Sequence, residues 1–364
     1  RVTGDTDEAA PAQHGAGETT IAELLAVLCE RAEELAPLSA PIAALAELQQ
    51  LCAPAAVQPL INRAMSEASQ TRKKASAASG AEDHSARLGL LDDQWQRLFD
   101  AADPTKASKF QEPKFRKHLV DGAAENGFRA MAKALAFGVP RDLLAGSVGL
   151  AASERALRFD ASLQDDNRYA EGWADAVHGF EQAAATVRIL RQNEAPSWAR
   201  LLLTTAWLAN SAKVLDAPTS ERFKLPEPEA IAQTWDHGPE IAKLQARLLR
   251  HDGDAAIAVL RGYLMMVLPV QPLCQHLLAV GFEDLGATSQ AQLLASAALS
   301  AGVEIFSALG DHPHRELALC AAIRLATAPL CPRQPHRAGL AAIDARDGIQ
   351  AASSRAICLW TSRG

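Results

Sequence analysis

The first regular pattern of apolar positions begins at Thr20. Ile21, Leu24, Leu25, Leu28 and Cys29 fall at i, i+3, i+4, i+7 and i+8, which is one face of a helix. Thr19 or Thr20 is a candidate N-cap, and Glu23 lies at capping-box spacing from Thr20. Pro37 should stop this helix. Ile42, Leu45, Leu48 and Leu51 resume the period after Pro41, and Pro54 and Pro59 punctuate it again. Residues 21–69 therefore read as a small antiparallel helical cluster. Residues 1–20 are acidic and lack an apolar period, so they read as a flexible tail. Residues 70–87, which include Arg72-Lys73-Lys74, are small, polar and partly basic, the composition of a linker.

Residues 88–235 hold further helical pattern. Leu90, Leu91, Trp95 and Leu98 share one face, and Pro104, Pro113, Pro140, Pro196, Pro218, Pro226 and Pro228 mark breaks. Residues 236–347 are the most regular. Their spacing predicts helices near 239–250, 253–267, 271–284, 288–308 and 313–327, lengths that suit a compact five-helix bundle. Residues 348–364 read as a second tail. No fixed-period repeat runs through the chain, so irregular bundles are expected in place of a solenoid.

Composition sharpens this to an all-α fold. The 364-residue chain is Ala-rich and only 5% aromatic, which favours helix and disfavours an all-β core. The net charge of −7 leaves no whole-chain basic field to attract nucleic acid. One stretch runs against that balance. Ser108 to His118 holds Lys109, Lys114, Arg116 and Lys117, interleaved with Phe110 and Phe115. Cations there could hold phosphates while rings stack bases. The same pattern also describes an amphipathic helix start with two core Phe. No uninterrupted apolar run reaches about 18 residues, so no membrane span is expected. The six cysteines form no CxxC, which suits buried thiols in a reducing intracellular compartment: cytoplasm, nucleus or organelle matrix. The chain opens on Arg1, not Met, and reads as processed or as a fragment.

Motif-borne chemistry is sparse. There is no GxxxxGK[ST], GxGxxG, HExxH or GxSxG, which excludes the motif-bearing versions of those enzymes but not catalysis in general; no catalytic residue and no cofactor are assigned. Asp165-Asp166 could hold Mg²⁺, but an acidic first turn also suits a helix N-terminus. His312-Pro313-His314, with Cys320 two turns on, suggests a metal pair. Zinc wants three or four converging ligands, and a cap by Asp311 or His312 explains the stretch as well.

Four stretches carry a family resemblance. They are Arg250 to Ala256, Leu277 to Gly286 with Phe282-Glu283-Asp284-Leu285-Gly286 at its end, Leu309-Gly310-Asp311-His312-Pro313, and Leu317 to Pro329. In order and spacing, residues 239–345 resemble the C-terminal helical collar domain of the replication-associated recombination AAA+ ATPases of the RarA type. Gln275 and His276 stand where that family has paired arginines, and Leu330-Cys331 replaces its Lys-Ser. Residues 1–235 show no Walker A or Walker B pattern. The resemblance thus implies a collar-like domain that makes homo-oligomers and meets protein partners of replication or repair, without ATP hydrolysis. Glu283, Asp284, Gly286, Pro313 and Pro329 become its structural and interface candidates. Gly286 would end a helix in the left-handed conformation, behind two acids in its last turn. Two readings compete: a scaffold subunit of a larger, organellar complex, and a metal-dependent all-helical enzyme.

Overall fold

The computed structural model describes residues 20–35, 38–75, 102–160, 162–163, 172–192, 198–219, 222–231, 237–282 and 289–328. The fold is all-α. Among the described residues there is no strand, only one isolated antiparallel bridge between Phe159 and Asp216. Fourteen described α-helices follow in order. They are α1 (Ile21–Glu30), α2 (Ala32–Leu35), α3 (Ser39–Leu51), α4 (Pro54–Ala75), α5 (Glu112–Asp121), α6 (Ala124–Ala136), α7 (Arg141–Arg158), α8 (Gly172–Gln192), α9 (Trp198–Ser211), α10 (Gly238–Leu249), α11 (Gly253–Met265), α12 (Val270–Val280), α13 (Ser289–Ala308) and α14 (Glu316–Thr327).

Helix α1 starts where local chemistry says it should. The Thr20 hydroxyl accepts from the Glu23 amide at 3.2 Å, and Glu23 accepts from the Thr20 amide at 2.8 Å. Leu24, Leu25, Leu28 and Cys29 form its buried face. The prolines proved weaker breaks than expected. Pro41 sits in the first turn of α3, where a missing amide costs nothing. Pro59 lies inside α4, which runs on to Ala75 and so enters the segment read as a linker. Val57, Ile61, Ala64 and Ala68 hold that helix by one buried stripe.

Two apolar clusters build the interior. One joins α1–α4 to α5, α6 and α9; the other joins α10–α14. Helices α7 and α8 belong to both. On α7, Leu144, Ala145 and Val148 face the first cluster, and Ala152, Ala156 and Leu157 the second. On α8, Trp173, Val177 and Phe180 face the second, and Val187, Ile189 and Leu190 the first. The core therefore continues past residue 235, where the sequence divides into two helical regions. Arg188 of α8 crosses the same divide, reaching Glu47 of α3 at 3.1 Å and Glu304 of α13 at 3.0 Å.

Helix α13 contains an 18-residue window, Ala291–Ala308, of mean hydropathy 1.3, long and apolar enough by composition to cross a membrane. Gln292, three serines, Gly302 and Glu304 interrupt it, so it is no uninterrupted apolar run. More than half of that window is buried against other helices. Gly302 lets α14 approach it closely: a Cβ there would lie 2.3 Å from the Ala322 methyl.

Candidate anion-binding groove

The α5–α6 hairpin is pinned from behind. The last turn of a helix leaves carbonyls without partners, and in α5 side chains from elsewhere take them. Asn210 of α9 donates to the Leu119 carbonyl at 2.8 Å and to the Gly122 carbonyl at 3.0 Å. Lys213 donates to the Asp121 carbonyl at 2.8 Å. Buried Arg155 donates to the carbonyls of Val120 and Ala209 and pairs with Asp216. Burial pushes the Asp216 carboxyl above its ordinary range, against the pull of Arg155. Arg158 bonds Asp121, and this ion pair holds the Asp121 carboxyl below its usual range against the opposing cost of its burial. At the other end Gly138, at φ +62°, turns the chain under Pro104, and a Cβ would lie 3.0 Å from the Pro104 backbone.

Held this way, α5 and α6 run antiparallel and leave a groove of about 540 Å³ between them. Four cations line it: Lys109 and Lys114 before and on α5, Arg129 and Lys133 on α6. His118, Gln111 and Asn126 complete its polar lining, and no carboxylate is among the lining residues. Its apolar floor is aromatic. Phe115 is buried, whereas Phe110 and Phe137 stay partly exposed. The Phe110 and Phe115 rings meet at 5.2 Å with a 58° tilt, and the Lys133 ammonium lies 5.4 Å from the Phe137 ring centre. On a chain of net charge −7 this is a local reversal of sign.

The structure divides the basic stretch read from sequence. Lys109 and Lys114 line the groove. Lys117 is exposed but is not among the lining residues. Arg116 is drawn away: it reaches Glu154 at 2.8 Å and Glu112 at 3.3 Å, with its side chain mostly buried. Arg129 and Lys133 escaped the sequence reading. They lie on the next helix and join Lys114 only because α6 folds back on α5. Their spacing of four residues, one helical face, was the available signal.

Other candidates fare differently. Glu283, Asp284, Gly286 and Pro329 lie outside the described residues, as do Asp165 and Asp166. Helix α12 ends at Val280 with Gly281 at φ −56° as its C-cap, four residues before the end predicted at 284. The Gly281 carbonyl accepts from Gln292 at 2.7 Å and from Ser296, both on α13. Pro313 is exposed in the turn before α14. His312 accepts from the His314 amide at 3.1 Å and lies 3.8 Å from Glu112. Among the described residues no three His, Cys, Asp or Glu side chains converge as a metal site. Burial pushes the Cys320 thiol up to about 12, which makes it inert as a nucleophile at neutral pH.

Comparison of the chain with protein-family models, with curated proteins and with solved structures finds no match.

Proposed function

We propose that this protein is a non-enzymatic helical interaction protein that holds an anionic partner in the α5–α6 groove. One observation carries the reading: four cations converge on an aromatic-floored groove whose lining contains no carboxylate. Paired surface cations need no explanation beyond solubility. These four are exposed and have no carboxylate partner among the described residues, so no ion pair within the fold accounts for their place there. The groove volume falls within the range of small-ligand and segment-binding sites, about 300–1,000 Å³. Retention on immobilised heparin tests it. The full chain should be retained at low salt despite its negative net charge, and Lys114→Glu with Arg129→Glu should elute at clearly lower salt. Equal elution of both proteins would remove the groove from consideration.

A second reading concerns assembly. Met265 at the end of α11, Met266 and Val267 just after it, Leu278 in the last turn of α12, Phe282 just past it, and Leu293 on α13 are exposed apolar side chains. They lie within the region that resembles the RarA-type collar, and they favour a homo-oligomer made through residues 236–347, with protein partners of replication or repair. Light scattering after size exclusion tests this on the full chain. A discrete oligomer that Phe282→Glu with Leu293→Glu converts to monomer is expected, and a wild-type monomer at tens of micromolar would end the reading.

A further inference from the structure

The groove's lining says more than that its ligand is negative. We propose that its occupant is a single strand of nucleic acid, with unpaired bases stacked on Phe110 and Phe137 and phosphates held by Lys109, Lys114, Arg129 and Lys133. The inference rests on the anion-binding reading above and adds the identity of the anion.

Geometry favours a strand over a small ion. From Asn126 to Phe137 the α6 side of the groove extends about 16 Å, at 1.5 Å per residue. Arg129 and Lys133 are one helical turn apart, about 6 Å along the axis. A single phosphate needs one such cation cluster, whereas a linear polyanion uses both. The floor decides between kinds of polyanion. A chain of phosphates or sulfates has no use for rings, but a base gains about 1–3 kcal/mol from stacking on one. Lys133 lies beside the Phe137 ring, and such a contact at an exposed site contributes about 0.5–1 kcal/mol. A base therefore displaces the lysine stem from the ring, and the released ammonium is already beside the strand for a phosphate. Gln111 and Asn126 lie at the rim with amide groups that can both donate to and accept from base edges. A duplex cannot use this floor, because its bases are already stacked inside it. An acidic peptide would prefer aliphatic hollows at helical spacing, and the only aliphatic lining here is Ala130 and Ala134.

Fluorescence anisotropy on the full chain tests the proposal with four labelled probes: a twelve-nucleotide oligo-dT, the matching oligo-U, a DNA duplex of equal length and inorganic polyphosphate. The single strands should bind more tightly than the duplex and polyphosphate. Their log Kd should rise with log salt at a slope of about 3, near 0.7 per phosphate for four contacts. Lys114→Glu with Arg129→Glu should weaken single-strand binding at least tenfold and cut that slope to about half. Phe137→Leu and, separately, Phe110→Leu should each weaken the strands about fivefold or more and leave polyphosphate unchanged. Melting of each variant reports whether it is folded, and two ring variants guard against one that is not. Equal binding of polyphosphate and strands, indifferent to both ring variants, would overturn the strand and leave the anion-binding reading standing. Stronger binding of a poly-Glu peptide, sensitive to the ring variants, would overturn it in favour of an acidic protein segment. No binding of any probe near 50 mM salt would overturn both readings. A preference between oligo-dT and oligo-U would decide which strand the groove takes.

Discussion

Asn210 puts one amide on two carbonyls at the end of α5, and that contact reaches the groove through the backbone. Asn210→Ala should cost about 1–3 kcal/mol, the range for stranding buried acceptors, and lower the melting temperature accordingly. His312 gives a pH-dependent term. Its burial lowers its basicity, against the pull of Glu112, so the unfolded chain takes up a proton first, near the ordinary 6.5. The stability at stake is present above that range and is lost as pH falls through it. His312→Gln should therefore show a smaller drop in melting temperature than wild type between about pH 7.5 and about pH 5.5. Equal drops would assign the effect to other groups. Alkylation mapped by mass spectrometry near pH 8 should label exposed Cys52 and spare Cys320 until the chain unfolds. At this scale the legible features were local ones. Thr20 and Glu23 cap each other within three residues, so their spacing was sufficient. Arg116 was only half legible: its partner Glu112 lies four residues before it, but Glu154, the closer one, sits on a different helix outside any local window.

Helices were read well where period and cap agreed, and poorly where proline was taken as a stop. A proline ends a helix only when its ring meets a preceding carbonyl or when the lost amide has no substitute, and neither decided the outcome for Pro41 or Pro59. Helix α12 stops one turn before the predicted 284, where the Gly281 carbonyl accepts from Gln292 and Ser296 of α13, contacts that no local window displays. Glycines inside helices carry a sharper test. Alanine normally improves a helix by up to about 1 kcal/mol over glycine. At Gly179 of α8 a Cβ would meet nothing within 4 Å, so Gly179→Ala should raise the melting temperature. At Gly302 of α13 the same change meets the Ala322 methyl at 2.3 Å and the Ala318 carbonyl at 2.9 Å, so Gly302→Ala should lower it, by about 1–3 kcal/mol of overpacking. Opposite signs are the expected result in thermal melts. A gain at both sites would mean that α13 and α14 can part at little cost.

At the scale of the molecule, the all-α class was legible because composition and period point the same way. The continuity of the core was not. Proline-rich connections around residues 218–228 resemble a boundary in one dimension, yet Trp173 of α8 donates to the Leu325 carbonyl of α14 at 3.1 Å, and Arg324 of α14 donates to the Phe159 carbonyl at 2.8 Å. Such pairings join positions far apart in the chain and leave no mark on the local pattern. Calorimetry should show one transition whose calorimetric and van't Hoff enthalpies agree. Two resolved transitions would mean that the two apolar clusters melt separately. The shared pair α7–α8 also sets a clock during synthesis. By the time Gln192 has left the ribosome, one side of that pair can be largely clothed, because α1–α6 precede it and only α9 has still to follow. The other side waits for α13 and α14, which finish at Thr327. At 5–20 residues per second that wait lasts about 7–27 s, during which a nascent chain shows Trp173, Val177 and Phe180 to whatever binds exposed apolar surface.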